Sequence, residues 1–156
     1  MLAHERRRVL HFNITEHPTA EWTAQQIIEA FPEDTSPRYL IRDRDGVYGA
    51  HFRNRVRGMG IQEVLTAASS PWQNPFAERL IGSIRRECLN HVVFFSASHL
   101  RYLLKQYVRY YLNTRTHLSL KKDAPESRAV QPRALGRIVS IPHVGGLHHR
   151  YERRSA

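Results

Sequence analysis

Asp43 and Glu78 are the acidic residues whose positions best suit metal-ion chemistry. Asp43 ends the run Arg38 to Asp43, which predicts a short strand before a glycine-containing turn. Strand ends in α/β sheets are common places for ligand sites. Glu78 lies in the first turn of a helix predicted from about Pro75 to Cys88, with proline where its missing N–H does no harm. The sequence therefore offers two carboxylates at the ends of regular elements.

The predicted helix presents Glu78 away from its apolar side. At about 100° per residue, the stripe facing the core consists of Leu80, Ile81, Ile84 and Cys88. Glu78 falls outside this stripe and faces a cleft or solvent. The alternative interpretation is a surface acid that is favoured near a helix amino terminus.

Phosphodiester transfer is the chemistry that would use such a pair. Two hard cations about 3.5–4 Å apart can hold the attacking and leaving oxygens of an in-line displacement. Mg²⁺ takes oxygen ligands in near-octahedral geometry and keeps several waters, so a few carboxylates from separate elements suffice. Two carboxylates alone are a weak signal, and the neighbouring sequence has to strengthen it.

The charge of the chain indicates a polyanionic partner. Its 156 residues fit one domain and carry 24 Lys and Arg against 14 Asp and Glu, a net charge of +10. Of the 24 basic residues 21 are arginine, whose planar guanidinium suits phosphate. The alternative is a genomic base-composition bias that enriches arginine in proteins of every function.

The sequence predicts no membrane span and no signal peptide. With Cys88 as its one cysteine, it also predicts no internal disulfide and no cysteine-based zinc site.

Hydrophobic periodicity predicts an α/β order of elements. Strands are predicted at Arg8 to Ile14, Arg38 to Asp43 and Val64 to Ala67, and helices at 20–31, capped by Thr19, and at 51–59. The helix at about 75–88 is followed by a long helix from Ala97 to Asn113. This alternation favours a sheet with parallel neighbours. The turn Glu5 to Arg8 is of the kind that joins two strands of a hairpin, with Met1 to Ala3 as the partner.

Three segments resemble the catalytic core of insertion-sequence transposases and retroviral-type integrases. Residues 70–87 (SPWQNPFAERLIGSIRRE) resemble the last catalytic motif, a Pro- and Asn-bearing loop followed by Ala-Glu, a glycine and a basic helix. Residues 39–46 (YLIRDRDG) resemble the second motif, a hydrophobic strand that ends in Asp. Residues 110–120 (YYLNTRTHLSL) resemble a downstream Tyr-Asn-x-x-Arg-x-His-x-Ser-Leu stretch. The 34 residues between Asp43 and Glu78 match the family spacing better than the 32 after Asp45.

The resemblance implies a ribonuclease-H-like fold and DNA strand cleavage and joining that depend on Mg²⁺ or Mn²⁺. By position, Asp43 and Glu78 correspond to the second and third metal-ligand acids, with Asp45 as the alternative to Asp43. Arg79, Arg85 and Arg86 would contact DNA, although arginine on a helix surface needs no such role. The implied DNA partners are transposon ends and target DNA. The implied protein partner is another copy of the chain or the full-length transposase. The implied location is the bacterial cytoplasm, near the nucleoid and away from membranes.

The chain departs from the family at its first acid. That acid stands on the first strand of the sheet, whereas Arg8 to Ile14 fits the third strand. The acids before Asp43 are predicted in turns or on the first helix: Glu5, Glu16, Glu21, Glu29, Glu33 and Asp34. We therefore expect an incomplete, amino-terminally truncated core with two of three metal ligands, weak metal binding and little activity alone, unless an upstream segment supplies the missing Asp.

Three functions stay open: a partial transposase core, a non-enzymatic DNA-binding protein that inhibits the full-length transposase, or an unrelated basic nucleic-acid-binding protein in which Asp43 and Glu78 are surface acids. The expected division is a partial core at 1–125 and a Pro-punctuated basic extension at 126–156. Trp72 could stack on a base or plug its loop against the core. His117 is predicted to bridge or cap after the long helix, with a role in orienting the active-site region beside Arg115 as the alternative. His148 and His149 are predicted to lie in a solvated tail, and Trp22 in the core.

Overall fold

All four predicted helices and two of the three predicted strands are present. A computed structural model of the chain describes residues 1–32 and 35–155, so Glu33 and Asp34 lie outside the described residues. The helices are α1 (Ala20–Ala30), α2 (Ala50–Gly58), α3 (Pro75–Glu87) and α4 (Ala97–Asn113). The strands are β1 (Tyr39–Arg42), β2 (Gln62–Leu65), β3 (Arg137–His143) and β4 (His148–Arg154). The chain is thus a mixed α/β protein.

The chain divides into two compact units. Unit 1 comprises Met1–Leu2 and Leu10–Arg79, and unit 2 comprises Ala3–Val9 and Leu80–Ala156. Among the described residues, no helix has both the length and the apolar composition needed to cross a membrane.

Unit 1 is built on two short parallel strands. β1 pairs with β2 from Tyr39 opposite Gln62 to Arg42 opposite Leu65, as the alternation of strands and helices predicts. The core of unit 1 combines buried side chains from α1, α2 and the turn before β2: Ala24, Ile27, Phe31, Phe52, Val56 and Ile61. α1 begins where predicted, because the Thr19 hydroxyl accepts a hydrogen bond from the Trp22 amide at 3.1 Å. Trp22 itself is only half-buried, so its predicted place in the core is wrong.

The predicted strand from Arg8 to Ile14 is not formed. In unit 2 the Ala3 amide donates to the Arg8 carbonyl, and in unit 1 the Leu10 amide donates to the Met1 carbonyl. These bonds form the expected hairpin-like turn, but the pairing does not extend into a strand. Beyond this point the side chains of His11 and Asn13 both hydrogen-bond Gln26 of α1 at 2.8 Å. The Asn13 side chain also accepts from the Ile14 amide. The bonds to Gln26 and the local bond within Asn13-Ile14 take the place of a strand ladder, so apolar alternation alone gave the wrong prediction.

Unit 2 packs a helix against an antiparallel hairpin. Its buried residues are Cys88, Tyr107, Tyr111 and Val144, with Val9, Leu80, Ile84 and Tyr110 among the partly buried side chains around them. β3 and β4 pair along their whole length, from Arg137 opposite Arg154 to His143 opposite His148. Gly136 precedes β3 with φ of 105°, and a Cβ there would collide with the Arg154 carbonyl. The β3–β4 hairpin thus lies within the segment 126–156, which is expected to be a Pro-punctuated basic extension.

Candidate functional site

Asp43 lies at the carboxyl edge of the parallel strand pair, as predicted. It follows Arg42, the last residue of β1, and the Arg42 carbonyl accepts from the Thr66 amide just after β2. The Asp43 carboxylate is exposed and accepts from the Asp45 amide at 3.2 Å. Asp45 is also exposed and caps the following turn by accepting from the Val47 amide at 2.9 Å. Both candidate acids are therefore accessible, and each is held by the turn that joins β1 to α2.

Arg42 fixes the backbone at this edge, a role that sequence reasoning missed. Its side chain is 8% exposed and pairs with Glu63 of β2, with Nε 2.6 Å from Oε1. Its Nη1 donates to the Asp43 carbonyl at 2.9 Å. The guanidinium lies 5.0 Å from the ring centroid of Tyr48 and 5.7 Å from that of Phe52. An arginine before an aspartate in a strand does not indicate this role in the sequence, because the aromatic residues that contact its guanidinium come later in the chain.

Tyr48 lies close enough to Asp43 and Asp45 for their charges to affect its hydroxyl, and Arg42 acts in the opposite direction. Burial first, and then the charges of Asp43 and Asp45, raise the pKa of the Tyr48 hydroxyl. The two carboxylates thus act electrostatically on a common neighbour.

The loop that leads to Glu78 is attached to the same edge of unit 1. The Gln73 side chain accepts a hydrogen bond of 2.7 Å from the amide of Ala67, two residues after β2. A short 3-10 turn, Pro71–Gln73, precedes α3, and the Glu78 amide donates to the Asn74 carbonyl in the first turn of that helix. The Glu78 carboxylate is exposed, as the helical stripe predicted. The convergence of Asp43 and Glu78 in one pocket stays a prediction.

The donor chemistry at these positions suits a hard divalent cation. Within residues 1–32 and 35–155, no ion pair involves Asp43 or Glu78, so neither carboxylate is neutralised by an arginine. In the same part of the chain, no group of three His, Cys, Asp or Glu residues could hold a metal ion. Two carboxylates would leave most of the coordination sphere of such a cation to water, and the weak binding stays a prediction.

The predicted DNA-contacting side chains are on the surface. Arg79, Arg85 and Arg86 are exposed. Arg86 lies along α3, since a Cβ at Gly82 would be 3.0 Å from its Nη1. Trp72 is 70% exposed, so the alternative in which it plugs the loop against the core is wrong. Its ring remains available for stacking.

A polar network in unit 2 contains an acid that sequence reasoning did not single out. Glu87 accepts two hydrogen bonds from Arg115, at 2.8 Å from Nε and 2.6 Å from Nη2, and one of 2.8 Å from the Tyr107 hydroxyl. Burial alone would raise the pKa of Glu87, but these hydrogen bonds and the Arg115 charge lower it. The Tyr-Asn-x-x-Arg-x-His motif thus places its arginine against the last residue of α3.

His117 and His148 complete this network. His117 is 6% exposed, and its Nδ1 accepts from Arg115 Nη1 at 3.2 Å, which leaves the ring proton on Nε2. Burial, together with the charges of Arg115 and Arg7, lowers the pKa of His117 to about 4. His148 donates to the Glu87 carbonyl at 2.7 Å and stacks on Tyr110 at 4.3 Å. The structural role expected for His117 is confirmed, and the solvated tail expected for His148 is wrong, because its strand packs against α4.

Comparisons with known proteins agree with the sequence motifs. Residues 59–125 match the integrase core domain family. The chain is also 30% identical over 89 residues to an uncharacterized 39.2 kDa protein of insertion element IS476 from Xanthomonas euvesicatoria. The resemblance to a transposase or integrase core is confirmed. The alignment covers 57% of this chain and 26% of that protein, so the chain spans about a quarter of the relative's length.

An integrase core implies a ribonuclease-H-like fold, and the chain is indeed mixed α/β. No solved structure matches it. The range that matches the integrase core includes Glu78, Arg115 and His117 and begins after Asp43. The assignment of Asp43 therefore depends on the strand motif and on its position at the sheet edge.

Proposed function

We propose that this chain is part of a DNA transposase in which Asp43 and Glu78 bind Mg²⁺ or Mn²⁺ for DNA strand cleavage and joining. The observation that carries the proposal is the hydrogen bond between Gln73 and Ala67, which holds the loop before α3 at the β2 end of the sheet edge. Asp43 leaves β1 at that same edge because the two strands run parallel. Both acids belong to unit 1.

The role of the chain's own residues is to present oxygen ligands and to bind the DNA backbone. When bound, the cations supply Lewis-acid stabilisation of the reacting phosphate oxygens. Arg42 positions Asp43 by holding its carbonyl and pairing with Glu63. Arg79 and the basic residues of α3 suit phosphate contacts. With two carboxylates, metal affinity is low and strand transfer by this chain alone is slow.

Iron-directed cleavage tests whether the two acids form one site. Fe²⁺ replaces Mg²⁺ at carboxylate sites, and with ascorbate and peroxide it cuts the backbone close to where it binds. We expect cuts near both Asp43 and Glu78 in the wild-type chain, and loss of both sets of cuts in Asp43→Asn and in Glu78→Gln. Cuts at only one of the two segments would refute the shared site.

Asp45→Asn is the matched control for this experiment, since Asp45 is equally exposed and two residues away. It should retain both sets of cuts if Asp43 is the ligand. Loss of the cuts in Asp45→Asn, with retention in Asp43→Asn, would transfer the role to Asp45. A Mg²⁺-dependent strand-transfer assay with Glu78→Gln then measures how much activity the chain has.

A non-enzymatic DNA-binding protein that inhibits the full-length transposase is the second candidate. The observation that favours it is the exposed arginine side chains of α3, which need no metal to bind phosphate. In this case the iron cuts are absent, DNA binding persists in EDTA, and the chain inhibits strand transfer when it is added to an active transposase.

A further inference from the structure

The exposed face of α4 carries a row of cations on a helix that has no acidic residue of its own. Its exposed residues are Ala97, Ser98, Arg101, Tyr102, Lys105 and Arg109. All 17 residues of α4 belong to the part of the chain that the structure describes, and none of them is acidic. None of its cations lies in the last turn. Arg101, Lys105 and Arg109 follow one another at intervals of four, where like charges on a helix repel one another. The charges also lie away from the carboxyl terminus, where the helix dipole would favour them.

Aromatic side chains flank this basic row on one side. Tyr102 is 60% exposed, and at about 100° per residue it lies about 60° around the helix from Lys105, three residues later. Phe95, just before the helix, is 86% exposed and stacks on His99 with ring centroids 6.1 Å apart. Large exposed rings beside a row of cations are the combination with which proteins hold unpaired bases and their phosphates.

We propose that this face of α4 binds a single DNA strand, with Arg101, Lys105 and Arg109 along the phosphates and Tyr102 stacked on a base. The three cations span roughly 12 Å along the helix axis, the length of about three to four stacked nucleotides. The choice of DNA rests on the proposed function, whereas the position of the surface on unit 2 does not depend on the metal site.

Binding of a fluorescent single-stranded oligonucleotide, measured in EDTA at several salt concentrations, tests the proposal. The variant Arg101→Gln/Lys105→Gln/Arg109→Gln should bind at least about tenfold more weakly at low salt. Its slope of log Kd against log salt should fall by about 2, since each lost phosphate contact on a single strand removes about 0.7. An unchanged affinity and slope would overturn the proposal.

A charge-matched control lies on α2 in unit 1. Arg53, Arg55 and Arg57 are all exposed, so their replacement by glutamine removes the same three charges from another surface. We expect less than a threefold change in affinity from this control. Equal losses in both triple variants would show that only net charge matters and would overturn the assigned surface.

Tyr102→Ala separates stacking from charge. It should weaken binding to the single strand by roughly tenfold, leave the salt slope unchanged and affect a blunt duplex little. Tyr102→Phe should bind as the wild type does. Equal weakening for duplex and single strand, or none for either, would overturn the stacking contact.

The wild-type chain offers a readout that needs no substitution. Its lysines are Lys105, Lys121 and Lys122, and all three are exposed. DNA should protect Lys105 from acetylation while the other two react as before. Equal protection, or none, would overturn the proposal. DNA binding is measured in EDTA, so it does not depend on a bound cation. Protection of Lys105 without iron cuts at Asp43 and Glu78 would reject the metal site alone. Iron cuts without protection of Lys105 would reject the α4 surface alone.

Discussion

Replacing Arg115 with methionine should destabilise unit 2 substantially. The guanidinium makes two hydrogen bonds to Glu87, at 2.6 and 2.8 Å, in a geometry that surrounding side chains hold in place. Removing one partner of a fully buried ion pair costs about 3–5 kcal/mol. The two side chains here are 25% and 27% exposed, so water compensates part of the loss. We expect a decrease of about 2–3 kcal/mol in the free energy of unfolding.

The measurement is urea unfolding followed by far-ultraviolet circular dichroism, completed as a double-mutant cycle with Glu87→Gln. The cycle should give a coupling energy of about 1–2 kcal/mol at neutral pH. A decrease of 2–3 kcal/mol corresponds to a loss of roughly 4–12 °C in Tm for a chain of this size. A coupling energy below about 0.5 kcal/mol would refute the reasoning from the bidentate geometry.

The pH dependence of this coupling has a definite sign. The pKa of Glu87 is lowered in the folded chain, so its contribution is present above the ordinary carboxylate pKa and is lost as the pH falls through the lowered value. Arg8 and Glu126 provide the control pair, because they are 44% and 50% exposed and their charged atoms are 3.9 Å apart. Arg8→Met should change the free energy of unfolding by less than about 0.5 kcal/mol.

Three further predictions concern individual side chains. Arg42→Met should lower the free energy of unfolding by about 3 kcal/mol in urea titrations, because it leaves Glu63 without its partner in a largely buried setting. The folded-state pKa of His117, about 4, lies below its unfolded value, so His117 contributes stability above pH 6.5 that is lost as the pH falls from 6.5 to 4. Unfolding titrations should therefore show a smaller loss over this interval in His117→Asn. Thr19→Ala should cost about 1 kcal/mol by removing the cap on α1, measured in the same way.

A control variant accompanies the substitutions of Arg42 and Thr19, and a specific result would contradict the prediction for His117. Arg38→Met changes an exposed arginine just before the same strand and should have less than a third of the effect of Arg42→Met. Thr19→Ser retains the capping oxygen and should behave as the wild type does. An NMR titration in which the His117 ring gains its proton near pH 6.5 would contradict the burial argument.

Local signals predicted the helices well because they depend on neighbours in the chain. Thr19 caps α1 through a bond to Trp22, and the stripe through Tyr107 and Tyr111 predicts the long helix with its observed bounds. The end of β1 at Arg42 and the exposure of Glu78 also follow from local periodicity. These features need no knowledge of distant contacts.

The remaining features depend on partners far away in the sequence. The run from Arg8 to Ile14 alternates like a strand, but side-chain bonds to Gln26 determine its conformation. In the sequence, Glu87 is one of several acids near helix ends. Its role depends on the hydrogen bond from Arg115, which lies 28 positions later in the chain. The β3–β4 hairpin was missed because Pro142 and the pair Gly145-Gly146 interrupt its sequence, and because its alternation of side chains is weak. The partner contacts that stabilise it come from α4.

The parallel stack of His148 on Tyr110 gives the hairpin a magnetic signature. With the rings 4.3 Å apart and 7° from parallel, the carbon-bound protons of His148 lie within the shielding cone of the tyrosine ring. Their resonances should therefore appear well upfield of those from a histidine in open chain. Because the stack joins β4 to α4, a single peak position reports whether the last strands rest on the helix or have come away from it.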